Sequence, residues 1–253
     1  MIIEYNRPET IEEAIALITR DEIPTYPLGG GSVLNQPRSE IYAVVDLQNL
    51  GLNGIDKGND FHSIGATTVL QNILDHNEIP QALKRAIRHE ANFNIRQVST
   101  IAGSIVSGGG RSPIVTVFLA ANAKIEFFPG ARILSLGDYL PLRKRYPEKS
   151  LIVKITLPTK IKLAYTYVAR TPADFPIVCA GVGQWTSGRT RVALGGYGDS
   201  PILVFDGPDY AAAGIAARDA YHEAGDQWAS GPYRSDVAEI LVNRCLQHIK
   251  SQD

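Results

Sequence analysis

Two glycine-rich turns about seventy residues apart constrain this chain most. The first is Pro27-Leu28-Gly29-Gly30-Gly31-Ser32-Val33-Leu34, and the second is Thr100-Ile101-Ala102-Gly103-Ser104-Ile105-Val106-Ser107-Gly108-Gly109-Gly110. Each follows or interrupts an apolar stretch. Glycine lets the backbone come close to a ligand, so runs of N–H groups there suit an anion. Either turn alone is read more plainly as a tight turn. Two in one small chain suggest a clamp on a two-phosphate group, and hence a dinucleotide. The known phosphate fingerprints are missing: there is no G-x-x-x-x-G-K-[ST], and Gly29-Gly30-Gly31 does not continue as G-x-G-x-x-G.

The surrounding pattern is α+β. Thr10-Ile11-Glu12-Glu13 is a capping box, followed by Ile11, Ala14, Ile15 and Ile18 at helical spacing. Thr25 to Leu28, Ala43 to Leu47 and Phe61 to Ile64 read as strands, and Val69 to His76 and Pro80 to Ala91 as helices. Pro113 opens an apolar helix through Ala121, where a first-turn proline fits. Lys124 to Phe128 and Leu151 to Leu157 read as strands. From about residue 160 a meander is expected at 164–168, 178–185 and 190–194, then helices at 209–224 and 233–249. These patterns predict a domain over 1–160, with lobes of about 1–55 and 56–160, and a second domain over 161–253.

Composition removes several classes of function. With 253 residues, 44% hydrophobic, 20% charged and a net charge of −1, the chain has the profile of a soluble globular protein. Near-neutrality argues against nucleic acid or an anionic membrane surface as partner. No apolar run is long enough for membrane insertion, and no basic segment with an apolar stretch opens the chain, so a cytoplasmic location is expected. Two cysteines, Cys179 and Cys245, are too few for an iron–sulfur cluster and read as buried thiols. The five histidines have no metal spacing. The basic run Arg143-Lys144-Arg145 reads as a solvated loop. Tyr165 and Tyr167 share a strand face and suit core packing more than a ligand ring.

In its motifs the chain resembles the FAD-binding medium subunit of the xanthine dehydrogenase and carbon monoxide dehydrogenase family of molybdenum hydroxylases. Leu28-Gly29-Gly30-Gly31-Ser32-Val33 is similar to the family's A-G-G-[TH]-[DS]-L, and Thr100-Ile101-Ala102-Gly103-Ser104-Ile105 to its T-[IV]-G-G-[ND]-[IY]. Ile95-Arg96-Gln97-Val98, Gly65-Ala66-Thr67-Thr68, Arg191 to Gly196 and Tyr233-Arg234 extend the likeness in the right order.

The resemblance implies a two-lobed FAD-binding domain of the PCMH type and a C-terminal α/β domain of the CO dehydrogenase flavoprotein type. It implies that the two turns clamp the FAD pyrophosphate and that Phe93 lies beside the adenine. The alternative for Phe93 is a core-facing side chain. It also implies a hetero-oligomer with a molybdopterin large subunit and a [2Fe-2S] small subunit, passing electrons to NAD or a quinone. No catalytic side chain and no metal ligand is expected here.

There are departures. Pro113 stands where the family has an aspartate that helps hold FAD, and Ala102 stands for a glycine. A common lysine is replaced by Thr166 or Tyr167, and 130–158 is short, although Arg170 and Asp174 remain. An FAD-free structural or assembly subunit is therefore an alternative, and a stand-alone enolpyruvyl-reductase-like enzyme a weaker one.

Overall fold

The computed structural model describes residues 1–34, 39–143 and 150–252. Three sheets organise it. The first is parallel, built from β1 (Ile2–Asn6), β2 (Thr25–Leu28) and β3 (Tyr42–Asp46) in the order β1-β3-β2. The central β3 is buried along its whole length, as a parallel strand covered on both faces must be. Helix α1 (Ile11–Ile18) links β1 to β2 and carries the expected capping box between Thr10 and Glu13. Ala14 of α1 packs with Val45, Leu47 and Leu151.

The second sheet contains β4 (Ile55–Lys57), β5 (Phe61–Gly65), β6 (Lys124–Phe128), β7 (Arg132–Ser135) and β8 (Leu151–Pro158), antiparallel in the order β4-β5-β8-β6-β7. Five helices accompany it: α2 (Leu70–Asp75), α3 (Gln81–Glu90), α4 (Phe93–Arg96), α5 (Ile101–Ser107) and α6 (Pro113–Ala120). A further helix, α7 (Leu136–Leu142), follows β7. Ser135 caps it by accepting from the Asp138 N–H at 3.1 Å. The expectations for this stretch omitted β7 and α7, because Gly137 and Pro141 break the helical pattern. The Ser135-x-x-Asp138 spacing was the available signal.

The third sheet is the expected meander, with one strand more than expected: β9 (Ile161–Val168), β10 (Val178–Trp185), β11 (Thr190–Gly195) and β12 (Ile202–Gly207). The segment expected as one helix over 209–224 is a 3-10 turn at Tyr210–Ala212 followed by α8 (Ala213–Ala220). Helix α9 (Gly231–Lys250) closes the chain and packs on β9 and β10. Arg234 of α9 is fully buried. Its guanidinium donates to the carbonyls of Ile177, Ala224 and Ala229 and to Asp226, which accounts for a buried charge.

Helix α6 explains how the sheets cohere. All eight residues, Pro-Ile-Val-Thr-Val-Phe-Leu-Ala, are buried, because the helix is apolar on every side and is covered by α3, β10 and β11. One core therefore runs from Ile64 and Ile155 through Phe118 to Cys179 and Ala193. Both cysteines are free and buried, as expected, and burial pushes the Cys179 thiol up to about 12 and the Cys245 thiol up to about 11.

Further ties cross from α3 to the third sheet. His89 stacks on Tyr167, with ring centroids 3.7 Å apart, and Tyr165 and Tyr167 stack at 5.7 Å, so the two tyrosines do share a face. His89 Nε2 meets the Asp174 carbonyl at 2.8 Å, and its Nδ1 meets the Tyr165 hydroxyl at 3.0 Å. The carbonyl can only accept, so Nε2 carries the proton and Nδ1 accepts from Tyr165. Burial lowers the His89 pKa, in keeping with that neutral ring.

Glu90 ends α3 at a partly exposed position, but its carboxylate turns inward. Oε2 accepts from the Ser112 hydroxyl at 2.7 Å and from the Ile114 N–H at 3.0 Å, so it caps α6. Burial raises its pKa from 4.5 to about 7. The folded state thus holds a proton that the unfolded chain releases between those values. Stability from this group is complete below the unfolded pKa and falls as pH rises through about 7. Glu90→Gln keeps an acceptor without the charge. It is expected to match the wild type near pH 4 and exceed it by about 3 kcal/mol near pH 8, read by urea unfolding at both pH values.

Candidate functional site

The first glycine turn leaves β2 at the carboxyl end of the parallel sheet. Four consecutive N–H groups, Gly29 to Ser32, make no hydrogen bond to any described residue. Gly31 has φ +73°, in the left-handed region that favours glycine. Gly30 has a different requirement. A Cβ there would fall 1.6 Å from the Val98 carbonyl oxygen, and one on Gly29 would fall 2.7 Å from Thr100 Oγ1. The first turn is therefore pressed, backbone against backbone, on the segment that leads into the second.

The second turn is a helix start. Thr100 caps α5, and every N–H of its first turn has a protein acceptor. Ile101 donates to the Thr68 carbonyl at 2.9 Å and Ala102 to the Ala66 carbonyl at 3.2 Å. Gly103 donates to Thr100 Oγ1 at 3.2 Å and Ser104 to the Thr100 carbonyl at 2.9 Å. Gly65-Ala66-Thr67-Thr68 thus supplies two of the acceptors that hold α5. Ala102 is helical and needs no positive φ, so its Cβ is accommodated. The rest of the stretch faces the third sheet. Gly110 donates to the Gly198 carbonyl and accepts from Gly196, and a Cβ on it would lie 2.1 Å from the Tyr197 carbonyl oxygen. The expectation of two equivalent runs of bare N–H groups is corrected here: among the described residues only the first turn offers them.

Between the turns lies a cavity of about 370 Å³, within the range of about 300–1,000 Å³ that cofactor sites occupy. Gly29, Gly30, Gly31, Ser32, Val33, Thr100, Ala102 and Gly103 line it. The remaining candidates lie outside its wall. Leu28 ends β2 beside Gly31, Ile105 is in the core, and the Ser104 hydroxyl donates back to the Thr100 carbonyl at 3.0 Å. Phe93 is 59% exposed on α4, with the Arg96 guanidinium 5.9 Å from its ring, so it faces neither the cavity nor the core. Tyr165 and Tyr167 do not line the cavity either.

Sequence reasoning missed the other wall. Ala66 and Thr67, just after β5, join it, and Phe127, Tyr139, Leu151 and Ile152 make an apolar end. Arg143 also lines it, against the expectation of a solvated basic run. Lys144 and Arg145 lie outside the described residues. Arg143 donates to the Gly108 carbonyl and, at 2.5 Å, to the Asp199 carbonyl.

A run of bare N–H groups, a close-approach glycine and an apolar recess fit a ligand with phosphates and a flat ring. Comparison with known proteins decides which. Residues 1–160 match the family model described as FAD binding domain in molybdopterin dehydrogenase. The chain belongs to that FAD-binding family.

Its relatives agree. It is 30% identical to YgfM of Escherichia coli (strain K12), covering 81% of this chain and 79% of that one. It is 26% identical to the carbon monoxide dehydrogenase medium chain of Afipia carboxidovorans, covering 98% of this chain and 97% of that one. It is 24% identical to the nicotine 6-hydroxylase medium subunit of Paenarthrobacter nicotinovorans, covering 96% of each. Among solved structures, a chain of reconstituted CO dehydrogenase from Oligotropha carboxidovorans superposes with a TM-score of 0.82 at 24% identity, covering 99% of this chain and 98% of that one. A chain of quinoline 2-oxidoreductase from Pseudomonas putida 86 gives 0.80 at 20%, with 99% and 98% covered. These likenesses show the expected α+β fold.

The contact between Gly30 and Val98 sets a clear test for this FAD-binding domain. Gly30→Ala drives a methyl group into a carbonyl and is expected to cost about 1–3 kcal/mol in denaturant unfolding, together with FAD binding. A Cβ on Gly109 meets nothing within 4 Å, so Gly109→Ala is expected to change neither.

Proposed function

We propose that this chain is the FAD-carrying, electron-transfer subunit of a molybdenum hydroxylase-type oxidoreductase. The observation that carries the reading is the N–H run from Gly29 to Ser32, in residues that line the cavity, without an acceptor among the described residues. In this reading those groups bind the pyrophosphate, and the Ser32 hydroxyl adds a donor. The Thr100 hydroxyl, which already accepts from Gly103, keeps its own proton to donate into the cavity. Phe127, Tyr139, Leu151 and Ile152 enclose a ring and exclude water from it. Bound FAD supplies one- and two-electron redox chemistry, and the protein supplies position and electrostatics. No side chain is asked to act as nucleophile or base.

The carbon monoxide dehydrogenase and nicotine 6-hydroxylase relatives bear the name medium chain or medium subunit, which supports assembly with other subunits. The proposed partners are a molybdopterin-containing large subunit and a [2Fe-2S] small subunit, with NAD or a quinone as final acceptor. The chain would be inactive alone. The same proposal assigns it to the cytoplasm, and no helix among the described residues is long and apolar enough to cross a membrane. The domains are proposed as 1–160, with lobes of about 1–55 and 56–160, and 161–253. The passage of the chain from the second sheet in β8 to the third in β9 supports that boundary.

A second reading, an FAD-free structural subunit, draws on the fully occupied N–H groups of α5 and on Pro113. Reconstitution separates the two. The full chain, treated with FAD and desalted, is expected to retain about one flavin per chain by absorption. A chain that stays colourless yet still binds its partner subunits would contradict the flavin reading and favour the structural one.

A further inference from the structure

Arg143 is the one charged residue in the wall of the cavity among the described residues. It follows the last residue of α7, and its side chain is half-buried. Two of its donor directions are fixed, one on the Gly108 carbonyl at the end of α5 and one on the Asp199 carbonyl between β11 and β12. Both acceptors are neutral. No described carboxylate pairs with it, whereas Arg20, Arg189, Arg191 and Arg234 each have one. A guanidinium has five N–H donors, and this one keeps donors uncommitted beside the cavity.

We infer that Arg143 supplies the counter-charge for the pyrophosphate, and that the carbonyls of Gly108 and Asp199 pre-set its guanidinium for that contact. The inference rests on the flavin reading of the cavity. The Gly29–Ser32 amides offer partial charges only, and a pyrophosphate diester carries two full negative charges. A cation held by two carbonyls meets such an anion with little loss of side-chain freedom, and a planar fork suits phosphate oxygens. One carbonyl follows α5 and the other lies in the loop between β11 and β12, so the residue that neutralises the ligand also ties the third sheet to the second glycine stretch.

The test is a titration of the flavin-free full chain with FAD, followed by flavin fluorescence, with riboflavin as the probe without phosphates. Wild-type affinity for FAD is expected to weaken between about 50 and about 500 mM salt, because charge contacts are screened. Arg143→Gln is expected to bind FAD roughly tenfold more weakly at low salt and to lose most of the salt dependence. Arg143→Lys is expected to keep the salt dependence, and riboflavin affinity is expected to be equal in all three. A salt-independent wild type would overturn the inference. So would Arg143→Gln with wild-type affinity and salt dependence, or an equal loss of riboflavin. A wild-type chain that takes up no FAD would overturn the flavin reading as well, whereas normal uptake by both proteins would overturn this inference alone.

Discussion

The contact of Gly30 with the Val98 carbonyl is the constraint on which the site depends. Two backbones approach there more closely than any side chain allows. That approach sets the end of the parallel sheet against the start of α5, and the cavity opens between them. The Gly29–Ser32 amides beside it have no acceptor among the described residues. Gly29, Gly30 and Gly31 are half-buried and Ser32 is exposed, so these amides are left to water or to an acceptor from outside the protein.

The second glycine stretch serves the architecture. Its first half is a capped helix held by Thr68, Ala66 and Thr100, and its second half accepts the third sheet at Gly110. The seam is reinforced by His89, Arg143 and Arg111, which donates to the Pro176 and Phe175 carbonyls. The all-buried α6 runs through the middle, with Glu90 supplying the carboxylate at its amino end where Pro113 leaves none. The asymmetry of the two turns follows: one is open toward a ligand, and the other is closed by its own protein contacts.

Much of this was legible in the sequence, for identifiable reasons. The Thr10–Glu13 capping box, the alternation of β9 and the apolar run of α6 are local signals, and their elements formed where expected. The first turn drew attention only as one of a pair, because either turn alone reads more plainly as a tight turn. The closed state of α5 was not legible, because its acceptors, Ala66 and Thr68, lie more than thirty residues upstream and only tertiary structure brings them there. Phe93 followed a family position, yet α4 turns its ring outward. Arg143 was read from composition as solvated, and only the carbonyls of Gly108 and Asp199 give it a fixed place.

Amide hydrogen exchange, with and without FAD, tests this asymmetry most directly. Without ligand, the amides of Gly29 to Ser32 are expected to exchange rapidly and those of Ile101 to Ser104 slowly, because only the latter have acceptors among the described residues. Addition of FAD is expected to protect Gly29 to Ser32 and leave Ile101 to Ser104 unchanged. New protection confined to Ile101 to Ser104, with Gly29 to Ser32 still exchanging freely, would contradict the account.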